Sequence, residues 1–371
     1  MPLNVTIVGA GIGGLCLANG LRRAGVAVRV LERGGSGTPT APYRLRIDPP
    51  GVQALASCLP PELFAAFEAS CGSPHNSGST FLDHQLNPAF SRGKARTGRP
   101  HAVTNRLTLR EILLAGLPGA VEFGREVTAV GADRDGVEVR LADGTSHVSD
   151  LLVGADGTDS VVRAQLLPDA QLVETELGGI HGRTPLTPQR LRALPEALAG
   201  GSAPVIGTDG LTLVAGRCQP APPPFTAVPD HLQWTLIGPL ETVDGTGAAA
   251  RLVADWHPAL VDTITAADPA SLQQVPVHAM LPTPVWPAGR VTLLGDAAHT
   301  TVPVGGNGAS LALRDAGLLA QGLAEAAAGG LDPGAALSGY WEQMHEYGTT
   351  AVLQSLYVAE HVFRTYIPVL D

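Results

Sequence analysis

Asn4-Val5-Thr6-Ile7-Val8-Gly9-Ala10-Gly11-Ile12-Gly13-Gly14-Leu15 is the stretch that decides the fold. An apolar, β-branched run ends in glycines spaced GxGxxG, and Leu15, Leu17, Ala18, Leu21 and Ala24 then recur at helical spacing. Val26–Leu31 reads as a second buried strand, which completes a strand–turn–helix–strand unit. Gly9 allows the tight turn, Gly11 lets the backbone approach a pyrophosphate, and Gly14 lets helix and strand pack closely. The start of the helix offers unpaired N–H groups to an anion. Glu32 closes the second strand 18 residues after Gly14, where a carboxylate accepts hydrogen bonds from ribose hydroxyls. Strand, helix and terminal acid in register point to a bound dinucleotide, and this unit by itself does not separate NAD from FAD. Arg33, next to Glu32, suits a solvated strand end as well as an adenosine contact.

The chain has 371 residues, with 24 Lys+Arg against 34 Asp+Glu and a formal net charge of −10. That length predicts two domains or one large two-part domain. A hydrophobic fraction of 44% with 16% charged residues is core-forming and excludes a disordered chain. An acidic balance without a Lys/Arg block argues against a nucleic-acid partner. No run is long and apolar enough for a membrane span, and the N-terminus lacks a basic leader region, so no signal peptide is expected. Cys16, Cys58, Cys71 and Cys218 have neither CxxC spacing nor a matching His pair. They read as reduced, packed thiols of a cytoplasmic protein, and no metal site is expected.

Residues 36–42 read as a loop, 51–70 and 106–116 as helical, 121–148 as a hairpin turning at Asp143-Gly144, and Leu151–Val153 as a buried strand. From about 171 to 285 short β-branched runs (Leu211–Val214, Leu232–Ile237, Val275–Met280) alternate with Pro-rich turns such as Pro220–Pro224, the pattern of a mostly antiparallel sheet. Arg290–Leu294 returns to buried-strand character, and helices are expected at about 308–328 and 335–363. The expected fold class is α/β. A Rossmann-like nucleotide-binding domain is assembled from 1–70, 100–170 and 286–371, and an inserted, mostly antiparallel β-sheet substrate domain comprises 71–99 and 171–285. Helices close the chain.

Two further motifs end buried strands. One is Val153-Gly154-Ala155-Asp156-Gly157. The other is Leu294-Gly295-Asp296-Ala297-Ala298-His299, followed by Pro303, Gly305, Gly306, Asn307 and Gly308. With the N-terminal GxGxxG, this order resembles the flavin-dependent aromatic hydroxylases, the single-component FAD monooxygenases with the para-hydroxybenzoate hydroxylase fold. The resemblance implies that Gly9, Gly11, Gly14 and Glu32, with Arg33 beside it, hold the ADP half of FAD. It puts Arg44 near the pyrophosphate and isoalloxazine, Arg106 against the flavin, and Asp156 with Gly157 in a turn serving FAD and the nicotinamide nucleotide. Asp296 would bind the ribitol chain, and Gly306, Asn307 and Ala309 would lie at the pyrimidine edge of the ring. Gly305, Gly306 and Gly308 permit close backbone approach there, and the positive end of helix 308–328 would face developing negative charge on the flavin. Asn307 stands where many relatives have Gln or Leu. His299 reads as a packed or capping residue, and no side chain is assigned a catalytic role.

The implied activity is an FAD-dependent monooxygenase. It would use NADH or NADPH and O2 to hydroxylate an aromatic or polyketide-like small molecule through a C4a-hydroperoxyflavin, in a site kept dry. Baeyer–Villiger oxidation, epoxidation, dehydrogenation and ligand sequestration without turnover are the alternatives. The substrate is expected between the middle sheet and the flavin. Tyr43, Arg183, Arg217, His231, Gln233, Trp234, His278 and Met280 are the lining candidates, and alternation along the strands leaves open which of them face inward. A monomer and a homodimer are both compatible with the sequence.

Overall fold

The structure, a computed structural model, describes residues 3–36, 43–72, 79–92, 101–220, 223–281, 286, 289–303 and 306–363. Five parallel strands form one sheet, in the spatial order Val291–Leu293, Leu151–Gly154, Asn4–Val8, Ala27–Glu32, Val121–Phe123. Its central strands are apolar on both faces because helices cover both; Val5, Ile7, Leu152, Val153 and Leu293 are wholly buried. Helices Ile12–Arg23 and Gly308–Ala327 pack at backbone distance. A Cβ on Gly20 would stand 2.6 Å from the Ala320 Cβ, so that crossing needs glycine.

The region read as one hairpin over 121–148 divides. Val121–Phe123 is the edge strand of the parallel sheet, and Val127–Ala132, Val137–Leu141 and Ser146–Ser149 make an antiparallel meander. Gly124, at φ +71°, redirects the chain between the two, and a three-residue strand is too short for alternation to disclose its partner. The Asp143-Gly144 turn does join the last two strands of the meander, with the Thr145 N–H donating to Asp143 Oδ1 at 2.9 Å. The helical stretch 51–70 is likewise two helices, Pro49–Cys58 and Pro61–Ser70. Pro60 and Pro61 supply no N–H and hold Leu59 in an extended conformation.

The middle of the chain forms a seven-stranded sheet in the order Gln273–Met280, Leu172–Pro185, His231–Pro239, Thr212–Cys218, Ser202–Ile206, Ser79–Asp83, Pro88–Arg92. Every neighbouring pair is antiparallel except Ser202–Ile206 with Ser79–Asp83. Period-2 alternation splits its residues between two cores. Ile180, Leu213, Trp234 and Leu236 pack with Trp256, Leu260 and Ile264 on one face. Leu177 and Ile237 pack with Val302 and with Val352, Leu356 and Ala359 of the last helix, Pro333–Phe363, on the other. That helix also contributes Leu337, Tyr340 and Met344 to the core of the parallel sheet. A two-stranded ribbon, Arg44–Ile47 with Ala102–Asn105, lies alongside, and the Arg44 N–H donates to Gln233 Oε1 in the large sheet. Among the described residues no helix is long and apolar enough to cross a membrane.

Candidate functional site

The strands Asn4–Val8, Leu151–Gly154 and Val291–Leu293 are neighbours, so the three glycine-containing turns that follow them emerge side by side. Backbone bonds lock them together: the Ala155 N–H donates to the Val8 carbonyl at 2.7 Å, and the Leu294 N–H to the Gly154 carbonyl at 2.9 Å. Gly9 has φ +106°, and a Cβ there would lie 2.3 Å from the Ala155 oxygen. Gly14 is equally constrained, by the Gly9 oxygen at 2.3 Å. Gly11 is different: it is extended, and the nearest atom to its would-be Cβ is the Ala155 oxygen at 3.9 Å. Helix Ile12–Arg23 therefore starts from an open glycine, with no side-chain cap and no acid in its first turn. Its N–H groups and dipole are left for an anion.

Glu32 is held at both oxygens, by the Ala10 and Gly34 N–H groups, each at 2.8 Å. Arg110 donates from Nε to the Ala10 carbonyl at 3.4 Å; burial lowers its pKa, against the opposing pull of Glu32. Arg33 is exposed. Arg44 donates from Nε to the Arg217 carbonyl at 3.1 Å, and burial lowers its pKa to about 10. The Arg106 N–H donates to the Tyr43 carbonyl at 2.7 Å. Among the described residues no carboxylate forms an ion pair with the guanidinium of Arg44 or Arg106, which leaves both cations for an anionic ligand.

Asp296 opens a single helical turn, Asp296–His299, after Gly295 at φ +62°. With Thr158, Pro276, His278, Thr300, Thr301 and Pro303 it lines a cleft of about 140 Å³. Its carboxylate is open to solvent on the cleft side and crowded by protein on the others. That crowding raises its pKa, with Asp315 adding to the rise and His299 and Arg106 opposing it. Gly308, first residue of the long helix, is beside it: a Cβ on Gly308 would be 3.6 Å from Asp296 Oδ1. Gly306 has φ +66°, the Asn307 side chain makes no cap bond, and Ala309 follows in the first turn. Gly305, the loop residues 37–42 and residues 221–222 of the Pro-rich turn lie outside the described residues.

Asp156 holds the start of the helix that follows its turn. Its oxygens accept the Ser160 hydroxyl at 2.6 Å and the Val161 and Val162 N–H groups at 2.8 and 3.2 Å, capping helix Val161–Leu166. The link from this turn to the Asp296 turn is instead Arg163, buried, which donates to the carbonyls of Thr158 and Ala297.

On the large sheet, Gln233 shares a face with Leu177 and Ile237, and so do two residues that sequence reading missed, His181 and Thr235. His181 Nδ1 lies 3.0 Å from Thr235 Oγ1, and its ring meets Tyr43 edge-on at 4.8 Å. Burial, reinforced by Arg183 and His231, lowers the His181 pKa to about 4, so the imidazole is neutral. The signal that could have revealed it is alternation along Leu172–Pro185, which Gly178, Gly179 and Gly182 interrupt. Trp234 is on the opposite face: fully buried, with its indole N–H donating to Thr184 Oγ1 at 3.0 Å, it packs as a core residue. Arg217 is taken up by a two-point bond to Asp230, at 2.9 and 2.5 Å, and Arg183 faces Asp268 at 3.8 Å. His231 is buried with Nδ1 2.8 Å from the Pro229 carbonyl, and Met280 is buried with its N–H on the Thr300 carbonyl. Of the expected lining residues, His278 is the one that shares the cleft with Asp296.

The arrangement fits a flavin adenine dinucleotide: an open helix start for the pyrophosphate, a carboxylate at the second strand end, two arginines without acidic partners, and an acid in a polar cleft. The comparisons agree. A family model described as "FAD binding domain" matches residues 229–355, and one described as "NAD(P)-binding Rossmann-like domain" matches 7–45. The chain is 32% identical to the dual O-methyltransferase/FAD-dependent monooxygenase elcB of Phaeosphaeria nodorum; the match covers 88% of this chain but only 41% of that relative's length. It is 31% identical to 3-amino-4-hydroxybenzoate 2-monooxygenase PtmB3 of Streptomyces platensis, over 91% of this chain and 83% of that one. The crystal structure of Klebsiella pneumoniae HpxO complexed with FAD and uric acid superposes with a TM-score of 0.80 at 25% identity, covering 97% of this chain and 89% of that one.

Proposed function

This chain belongs to the flavin-dependent aromatic hydroxylase family of FAD monooxygenases, and on that premise we propose that it oxygenates an aromatic or polyketide-like small molecule, with NADH or NADPH as reductant and O2 as oxidant. Its cofactor is FAD. The observation that carries the reading is the emergence of three backbone-locked turns from neighbouring strands, with Asp296 open in the cleft beside them. Gly11 and the helix start take the pyrophosphate, Glu32 the adenosine ribose and Asp296 the ribitol. Arg44 and Arg106 neutralise charge on the cofactor, and Gly306, Asn307 and Ala309 border the ring. Asp156 shapes its turn through the helix it caps.

Bound FAD supplies the hydride acceptor and the activation of dioxygen. The protein orients the substrate on the sheet face of Tyr43, His181, Gln233 and Thr235, whose far end, lined by Leu177, Ile237 and Val302, excludes water. We assign residues 1–70, 100–170 and 286–371 to FAD binding, and 71–99 and 171–285 to the substrate side. The separate core of the large sheet's far face supports this division. A cytoplasmic location suits four cysteines that form no disulfide.

Purified protein should be yellow, absorbing at about 450 nm as flavins do. Phenolic and polyketide-like compounds should be screened for stimulated NAD(P)H consumption, with labelled dioxygen followed into the product. A protein that takes up no FAD, or one that binds such compounds tightly without faster NAD(P)H oxidation, would overturn the proposal.

A further inference from the structure

Asp315, on helix Gly308–Ala327, has no solvent exposure, yet it is a carboxylate. A single oxygen, Oδ2, meets both the Gly295 N–H and His299 Nε2, each at 2.7 Å. The other oxygen accepts the Tyr347 hydroxyl. Gly295 and His299 bracket the turn that carries Asp296, so one buried atom grips that turn at both ends. Gly295 is in the left-handed region, with Ala312 Cβ 3.1 Å from its would-be Cβ, and a backbone of that kind stays put only when its surroundings fix it.

The clamp is itself braced. Tyr347 comes from the last helix, and the Arg314 guanidinium covers its ring at 3.7 Å. From the same helix, the Tyr340 hydroxyl donates to the Leu293 carbonyl at 2.9 Å, which fixes the end of the strand leading into the turn. A buried ion pair is a poor way to gain stability, because desolvation offsets the attraction; its best-attested use is to specify geometry. Burial lowers the His299 pKa, but the charge and hydrogen bond of Asp315 outweigh burial and raise it.

We propose that Asp315 is a positioning residue for the cofactor, acting through Asp296: by holding Gly295 and His299 with one oxygen it fixes where Asp296 meets the ribitol chain. This rests on the reading of Asp296 as a flavin contact. Tyr347 serves Asp315 in the same way, so the last helix contributes to FAD affinity through this chain of contacts.

FAD binding to apoprotein, followed by quenching of flavin fluorescence, tests this in a double-mutant cycle. Asp315→Asn should weaken FAD about tenfold, about 1.4 kcal/mol, and Tyr347→Phe should weaken it about threefold, with a matching change in the visible circular dichroism of the bound flavin. In an Asp296→Ala background each effect should shrink to less than about twofold, because the route through Asp296 is gone. Equal losses with and without Asp296 would mean that Asp315 acts only through general stability, and unchanged affinity in Asp315→Asn would mean that it does not act at all; either overturns the proposal. If Asp315→Asn does not fold, Tyr347→Phe with and without Asp296 distinguishes the same outcomes. Wild-type protein that takes up no FAD would instead overturn the cofactor reading itself.

Discussion

The carbonyl oxygen of Ala155 stands 2.3 Å from the point where a Cβ on Gly9 would lie, so the first two turns touch through bare backbone. Two residues on, the same construction at Gly11 finds that oxygen at 3.9 Å and nothing else. Two glycines of one motif therefore serve different ends, and alanine should separate them. Gly9→Ala combines a forbidden φ with a backbone clash and should cost about 3 kcal/mol or more of stability. Gly11→Ala should leave the unfolding temperature of the apoprotein within about 2 °C of wild type while FAD affinity falls at least about tenfold. Thermal unfolding with an FAD titration on both variants decides it. Equal destabilisation at the two positions would refute the distinction.

Asp156 invites a similar separation. Its three accepted hydrogen bonds all serve the start of helix Val161–Leu166. Asp156→Ala should cost about 1–2 kcal/mol in urea unfolding of the FAD-free protein, as the loss of an N-terminal cap does. Asp156→Asn, which keeps an acceptor, should cost less than half of that. A residue reserved for the cofactor would show the reverse: unaltered apoprotein stability and weakened FAD binding in both variants.

What the sequence discloses follows from the range of the forces involved. The unit 4–32 was legible because its glycines, apolar period and terminal acid are all local. The two later acidic turns were legible as motifs, but not what their side chains do: whether Asp156 looks to a ligand or to its own helix depends on rotamers, and Asp296 gains its clamp from Asp315 and Tyr347, distant in the chain. Strand facing was the hardest to read. Gln233 and Trp234 are adjacent and so face opposite ways, and only the partner layer says which way is inward. His181 escaped notice because three glycines dilute the pattern of its strand.

Trp234 should behave as core. Trp234→Phe removes the indole N–H from Thr184 Oγ1 and leaves a void among Ile180, Leu213 and Leu236. A loss of about 1–3 kcal/mol in denaturant unfolding is expected, with FAD affinity and any substrate-stimulated NAD(P)H oxidation within about twofold of wild type once the protein is folded. A substrate affinity that collapsed while stability held would put the side chain back in the pocket.

His181 makes a claim about pH. Burial comes first in lowering its pKa to about 4, and Arg183 and His231 push the same way. Thr235 Oγ1 and the edge of Tyr43 are its other neighbours. In the unfolded chain the group titrates near 6.5. Between those two values the unfolded state binds a proton that the native state refuses, so stability falls as the solution is acidified from about pH 6.5 and stops falling on this account near pH 4. The full difference amounts to about 3 kcal/mol. Urea unfolding of wild type and His181→Gln at intervals across that window should give curves that run parallel above pH 6.5 and diverge below it, the glutamine variant keeping stability that the wild type loses. Parallel curves throughout would mean that the imidazole accepts its proton in place, and that the face it shares with Gln233 and Thr235 is wetter than its burial implies.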